Sequence, residues 1–289
     1  MKNKCILKCV LFALVAFNSL AIMAQTTQQA AKPEKKFLQP ERVRYDGSCM
    51  TIEGKDIFIY SAAFHYFRCP EELWRDRFRQ IKEAGFNTVE TYVPWNWHER
   101  IMPSGLNDNS HFDFSDVKRW LKMAQEEFGL YTIVRPGPFI CAEYSGGGYP
   151  RWLAKFCPGG MDDFWLRSAD HRHISWSQHW FDAVCKALAD EQITRKPVGE
   201  KGIILIQIEN EYNHHGCYGK EKLLKALYQS VRKSGMDIPI FTCLTNECRS
   251  SEDVELSQVF DSDNYYVGLS SAPDCAYRMA NLRKEQPDA

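Results

Sequence analysis

The chain has 289 residues, 44% of them hydrophobic and 25% charged, which is ordinary globular composition and excludes disordered, collagen-like and coiled-coil classes. Lys and Arg total 36 against 37 Asp and Glu, a formal net charge of -1. No basic excess exists to neutralise phosphates, so nucleic acid is not an expected partner. Eight Trp, 13 Tyr and 17 Phe supply material for a core or for platforms under sugar rings.

The first segment reads as an address. Lys2, Lys4 and Lys8 precede an apolar run from Cys9 to Met23, and Ala24-Gln25 offers a cleavage point. Asn18 and Ser19 interrupt a run already too short for a membrane span. Residues 1–24 are therefore expected to be a signal peptide, with no stable membrane anchor after cleavage and export to the periplasm or beyond. Residues 25–40 read as a flexible polar lead-in, and 41–289 as the folded domain. Cys5 and Cys9 would leave with the leader, and the remaining cysteines show no C-x-x-C spacing, so no zinc site or disulfide framework is indicated.

From Asp56 onward strands and helices alternate. Asp56–Phe67 reads as the first strand. Pro70-Glu71-Glu72 opens a helix with Leu73, Trp74, Phe78 and Ile81 on one stripe, closed by Gly85. Asn87–Trp95 is the second strand, and Ser115 is expected to cap a helix that runs to Phe128 before Gly129. Leu130–Arg135 is the third strand. A long insertion follows, with Gly146-Gly147-Gly148 read as a flexible loop over a site, and then a helix over about 175–190. Gly202–Tyr212 (GIILIQIENEY) is the fourth strand, and its apolar start suits a parallel sheet covered on both faces. A helix over 220–234, a strand at Pro239–Thr245, a sixth strand at Val259–Val267 and a helix at Cys275–Lys284 complete the pattern. Regular alternation implies an α/β fold with a parallel sheet, either doubly wound or a (β/α)8 TIM barrel. A dinucleotide-binding sheet would need G-x-G-x-x-G after its first strand, where Arg68-Cys69-Pro70 stands instead.

Polar residues gather at the C-terminal ends of these strands, where barrel chemistry sits. They are His65; Tyr92, Trp95, Asn96, His98 and Glu99; Arg135, Glu143 and Tyr144; Glu209, Asn210 and Glu211; and Asp261, Asp263, Asn264 and Tyr265. Carboxylates, amides and aromatic rings without a metal-like His/Cys grouping suit sugar chemistry. Glu209 and Glu211, two apart on a strand, are expected on one face. A salt bridge to Arg135 or another barrel arginine would account for one of them. His65 reads as a hydrogen-bonded structural histidine, Arg135 as a buried ion-pair partner and His214-His215 as a solvated loop pair. Trp95 and Trp97 read as core or as the wall of a sugar subsite.

Three stretches carry a family resemblance. AAFHYFRCPEELWRDRFRQIKEAGFNTVETYVPWNWHE at Ala62–Glu99, IVRPGPFICAEYSGGGYPRWL at Ile133–Leu153 and GIILIQIENEY at Gly202–Tyr212 resemble glycoside hydrolase family 35, typified by β-galactosidases. The resemblance implies a (β/α)8 barrel and a retaining double displacement by two carboxyl groups about 5–5.5 Å apart. It makes Glu211 the acid/base and Asn210 the residue that bonds the sugar 2-hydroxyl. It places Tyr92, Cys141, Ala142 (through its backbone), Glu143 and Tyr265 around the terminal sugar. The implied partner is an oligo- or polysaccharide with a terminal β-galactoside, and no cofactor is implied. Tyr144, Ser145-Gly146 and Asn213 depart from the family pattern and put linkage and aglycone preference in question.

The family's nucleophile lies on the seventh strand, which projects beyond Ala289, and six βα units are counted here. The expectation is a barrel truncated after about six units and inactive as it stands. The alternatives are a non-catalytic galactoside-binding remnant and a family member acting on another terminal β-glycoside.

Overall fold

The computed structural model describes residues 33–156, 166–213, 220–249, 251–266 and 272–288. The expected signal peptide, most of the lead-in and His214-His215 lie outside these residues. The compact body begins at Glu34. The end of the lead-in is tied to it, with Lys36 N donating to Gln258 Oε1 (2.6 Å) and Gln39 Nε2 to Asp237 Oδ2 (2.7 Å).

A small antiparallel sheet comes first, β1 (Val43–Tyr45), β2 (Met50–Ile52) and β3 (Lys55–Ile57). Ile52 pairs with Lys55 across a two-residue turn in which Glu53 and Gly54 have φ of 51° and 74°. Positive φ at both central positions matches the right-handed twist of the flanking strands. The single strand expected over Asp56–Phe67 is therefore two strands in two sheets. β3 closes the hairpin, while β4 (Ser61–Ala63) starts the main sheet. Phe58 and Tyr60, between them, are exposed, and Tyr66–Arg68 is a 3₁₀ turn.

The main sheet continues through α1 (Trp74–Glu83), β5 (Thr88–Tyr92), α2 (Ser115–Lys122), β6 (Tyr131–Arg135) and α3 (His171–Leu188) to β7 (Ile203–Gln207). It ends with α4 (Lys220–Lys233), β8 (Ile240–Cys243), β9 (Phe260–Ser262) and α5 (Ala272–Glu285). All pairs are parallel and the order is β4-β5-β6-β7-β8-β9. A doubly wound sheet reverses its strand order at a switch point. Here each unit adds beside the last, which is the order of a (β/α)8 barrel, carried through six strands. Among the described residues β4 pairs only with β5 and β9 only with β8.

Helix starts are set locally. Asp113 Oδ1 accepts from Ser115 N (2.9 Å), so Asp113, not Ser115, satisfies the first turn of α2. That helix gives way to a π-turn at Met123–Glu127. Asp170 caps α3 by accepting from Arg172 N (2.8 Å), four residues earlier than the sequence pattern suggests. The middle of the sheet is buried from both sides, with every residue of β7 and β8 buried. Phe78 of α1 packs edge-on to Phe64 (5.1 Å) and against Trp120 of α2 (5.3 Å). Trp180 of α3 stacks on Trp95 (5.9 Å, 7°) and donates to Pro136 O (2.9 Å), fixing the loop that leaves β6. No helix among the described residues is long and apolar enough to cross a membrane.

Candidate active site

The C-terminal strand ends converge on Asn210. Its Oδ1 accepts from Arg135 Nη2 (2.9 Å), Gln207 Nε2 (3.3 Å), Tyr92 Oη (3.4 Å) and Cys243 Sγ (3.4 Å). Four donors from β5, β6, β7 and β8 fix the amide's orientation. Its Nδ2 is therefore the group left to donate to a ligand. Arg135 is held in turn by Glu90 (3.1 Å) and Gln207, and its guanidinium lies over the Tyr92 ring (4.2 Å). Arg135 is thus the buried ion-pair partner expected from sequence. Burial raises the Tyr92 hydroxyl pKa, keeping it a neutral donor.

Glu211 lies one residue on and is 8% exposed. Its Oε1 accepts from Asn264 Nδ2 (2.8 Å), just past β9, and its backbone N–H donates to Cys243 Sγ (3.2 Å). Burial pushes the Cys243 thiol up to about 11, so it stays a neutral sulfur bridge between Asn210 and Glu211.

The chain does not reach Glu211 as a strand. β7 ends at Gln207, and Glu209 and Glu211 have φ of 56° and 49°. The expectation that the two share one strand face is corrected: they lie on a left-handed turn with separate partners. Glu209 is fully buried and ion-paired with Arg167, a residue ahead of α3 that the sequence reading did not single out. A second run of left-handed residues follows β6, at Cys141 (55°), Ala142 (52°) and Glu143 (45°). Each such non-glycine residue costs about 1–3 kcal/mol and persists only where tertiary contacts over-determine it. Arg68 supplies one contact by donating to Ala142 O, and Tyr144 N donates to Cys141 O (2.9 Å).

Of the residues expected around the sugar, Tyr92, Asn210 and Glu211 fall into one network. Cys141, Ala142 and Glu143 stand on the adjoining loop without hydrogen bonds into that network among the described residues, and Glu143 is exposed. Tyr265 follows Asn264, and its ring lies under the Arg278 guanidinium (4.6 Å). Asn264 and Gln207 are contributors that the sequence pattern left unassigned. Asn264 was visible as a strand-end amide, and Gln207 as the polar residue ending an apolar run.

Other strand-end groups serve the scaffold. Glu99 is buried against His179 and Trp95 and Asp261 against Arg249, while the half-buried Asp263 pairs with Arg278. Trp95 is fully buried, and Trp97 donates to Asp116 (2.9 Å). His65 contacts Thr91 Oγ1 (3.4 Å), and burial together with Arg68 and Arg135 pulls its pKa down to about 4, a neutral structural histidine. The glycine run is not a loose flap. Gly147 and Gly148 are buried, Gly147 O accepts from Ile140 N (2.8 Å), and a Cβ on Gly147 would fall 2.2 Å from the Phe139 ring. Among the described residues no three His, Cys, Asp or Glu side chains converge to hold a metal ion.

The arrangement offers one buried carboxyl, one oriented amide donor and a neutral phenol at the end of a parallel sheet, a set suited to a polyhydroxylated ligand. Comparison with known proteins agrees. Human beta-galactosidase-1-like protein 3 is 36% identical over 190 residues, 64% of this chain and 26% of that protein. Probable beta-galactosidase C of Aspergillus niger is 31% identical over 240 residues, 80% of this chain and 22% of that one. The exo-beta-D-glucosaminidase of Pyrococcus horikoshii is 40% identical over 124 residues, 40% of this chain and 15% of that one. The chain thus spans about a quarter or less of the length of these curated relatives. Among solved structures, the exo-beta-1,4-mannosidase Op5Man5 from Opitutaceae bacterium strain TAV5 shares the fold with a TM-score of 0.50 at 16% identity, covering 65% of this chain and 32% of that one. The model for glycosyl hydrolases family 35 matches residues 49–289, and the chain belongs to that family.

Proposed function

We propose that this chain carries the acid/base half of an exported, retaining exo-β-galactosidase. The fixed orientation of Asn210 beside Glu211 carries the reading. In a retaining mechanism one carboxylic acid protonates the leaving glycosidic oxygen and later activates water, while a second carboxylate attacks the anomeric carbon. Glu211 takes the first role. Asn210 Nδ2 donates to the 2-hydroxyl, a bond that strengthens as the ring flattens toward the oxocarbenium ion. Tyr92, Cys141, the Ala142 backbone, Glu143 and Tyr265 surround the terminal sugar. The nucleophile is expected on the strand that follows β9 in barrel order. The signal-peptide pattern of residues 1–24 supports export.

The test is hydrolysis of an alkyl β-galactoside, whose alkoxide leaving group needs a proton, by the protein with that following strand present. Glu211→Gln should lower turnover by about 10³-fold or more, because the leaving group loses its proton donor. Turnover that survives the substitution would remove Glu211 from the role. A second substrate reading has one support, the likeness to a glucosaminidase. Cleavage of the alkyl β-glucosaminide in preference to the galactoside would establish it and would leave the role of Glu211 intact.

A further inference from the structure

We propose that Arg167 is a positioning residue for Glu211, acting through Glu209 to lock the left-handed turn on which the acid/base stands. The inference rests on the role given to Glu211 and adds the device that aims it.

Glu209 is fully buried, so it has no route to a ligand, and an isolated buried carboxylate would be strongly unfavourable. Its partner is a fork. Arg167 Nε meets Oε1 (3.2 Å) and Nη2 meets Oε2 (2.5 Å). The same Nη2 also donates to the carbonyls of Asn210 (2.8 Å) and Glu211 (3.3 Å). Glu209 Oε2 closes the circuit by accepting from Asn210 N (2.8 Å). One ion pair therefore holds all three peptide units of the turn: the N–H of Asn210 and the carbonyls of Asn210 and Glu211. A well-packed apolar pair could fill the same volume at no loss of stability. It could not fix three peptide planes, and these determine where the Glu211 side chain leaves the backbone.

The strain makes the lock necessary. Glu209 and Glu211 both have left-handed φ without being glycine, and without outside contacts such residues relax to the right-handed or extended regions. Arg167 is itself seated from both sides. Its guanidinium lies over the Phe139 ring (4.0 Å), in the loop after β6, and its backbone N–H donates to His173 Nε2 (3.2 Å) of α3. A lysine would keep the charge but not the planar fork.

The test uses the protein with the strand that follows β9 present and needs no turnover. Amide hydrogen exchange is followed by mass spectrometry for the wild type, Arg167→Met, Arg167→Lys and Glu209→Gln. In parallel, the binding of a galactose-configured iminosugar, 1-deoxygalactonojirimycin, is titrated from acidic to neutral pH. Exchange over residues 208–213 should rise about tenfold or more in Arg167→Met while β6, β7 and β8 stay protected, and Arg167→Lys should restore protection only in part. Iminosugar affinity should fall about tenfold with an altered pH profile in the same variants. Exchange that rises across all strands would make Arg167 a general core stabiliser and overturn the proposal. So would exchange unchanged at 208–213, or a loosened turn that binds the iminosugar as tightly as the wild type at every pH. Should Arg167→Met fail to fold, Arg167→Lys, which keeps the charge, and Glu209→Gln, which keeps the shape, decide by the same localised pattern. If the wild type does not bind the iminosugar at all, the galactoside reading fails, and the clamp is judged on the exchange pattern alone.

Discussion

Glu99 offers the sharpest test of how the scaffold beneath the site is held. It is fully buried; its Oε2 accepts from Trp95 Nε1 (2.7 Å) and its Oε1 meets His179 Nε2 (2.8 Å). His179 Nδ1 faces Leu106 O (2.9 Å), and a carbonyl can only accept, so Nδ1 carries a hydrogen. A single proton then lies between Nε2 and the carboxyl, whichever of the two owns it. Glutamine can reproduce this pattern in neutral form, its oxygen accepting from Trp95 and its amide donating to an unprotonated Nε2. Alanine cannot, and leaves a buried indole N–H and the buried Nε2 of His179 without partners. Glu99→Ala should therefore cost about 3–5 kcal/mol, and Glu99→Gln about 1 kcal/mol or less. In thermal unfolding followed by circular dichroism, Glu99→Ala should drop Tm by about 10 °C and Glu99→Gln by a few degrees at most. The two variants falling equally far would refute the hydrogen-bond argument in favour of one based on charge. Neither falling would mean that the Trp95–Trp180 stack carries this region without the pair.

Three further outcomes follow from the same contacts. Burial holds His98 and His173 at about 4, below the ordinary 6.5, so the unfolded chain takes up their protons first. Their stabilisation is complete above about pH 6.5 and lost as pH falls toward 4, by up to about 1.4 kcal/mol per pH unit for each. Asp261, raised to about 6 by burial, offsets one of them below that pH, so Tm measured from neutral pH downward should fall across this window. A flat or rising profile would show that these histidines are hydrated. Gly147→Ala adds a Cβ at φ 60°, 2.2 Å from the Phe139 ring that supports Arg167. It should cost about 1–3 kcal/mol in urea unfolding, and an unchanged midpoint would contradict the packing. Cys243→Ser keeps a donor and acceptor for Asn210 and Glu211, whereas Cys243→Val keeps neither. Only the valine should lose about 1–3 kcal/mol, a difference that denaturant titration of the pair would detect.

The architecture was legible because it rests on local signals. Apolar runs such as Ile203–Ile206 and helix stripes such as Trp74 and Phe78 fall where the sheet and its cover need them, and regular alternation implied a parallel sheet. Choosing between barrel and doubly wound order took the family motifs or the strand pairing itself. The Asp56–Phe67 stretch misled because apolar and aromatic residues suit a strand even where the chain passes between sheets, as the 82% exposed Phe58 shows. The Glu53-Gly54 turn was missed because glutamate lacks the short side chain that makes Asn or Asp a marker of left-handed turns. The error at Glu209 and Glu211 has a different origin. The alternating pattern runs on past Gln207 to Ile208, and nothing within the segment says that the strand has ended. What ends it is Arg167, 42 residues away in sequence, together with Cys243, 32 residues away from Glu211, and no local rule reads those contacts. A strand continued through Glu211 would point its side chain by simple alternation. The left-handed turn instead lets β5, β8 and the residues just past β9 each contribute a group to Asn210 or Glu211. The residues that local pattern misplaces are thus the ones whose conformation is imposed from a distance, and they include the residue to which the proposed acid/base chemistry is assigned.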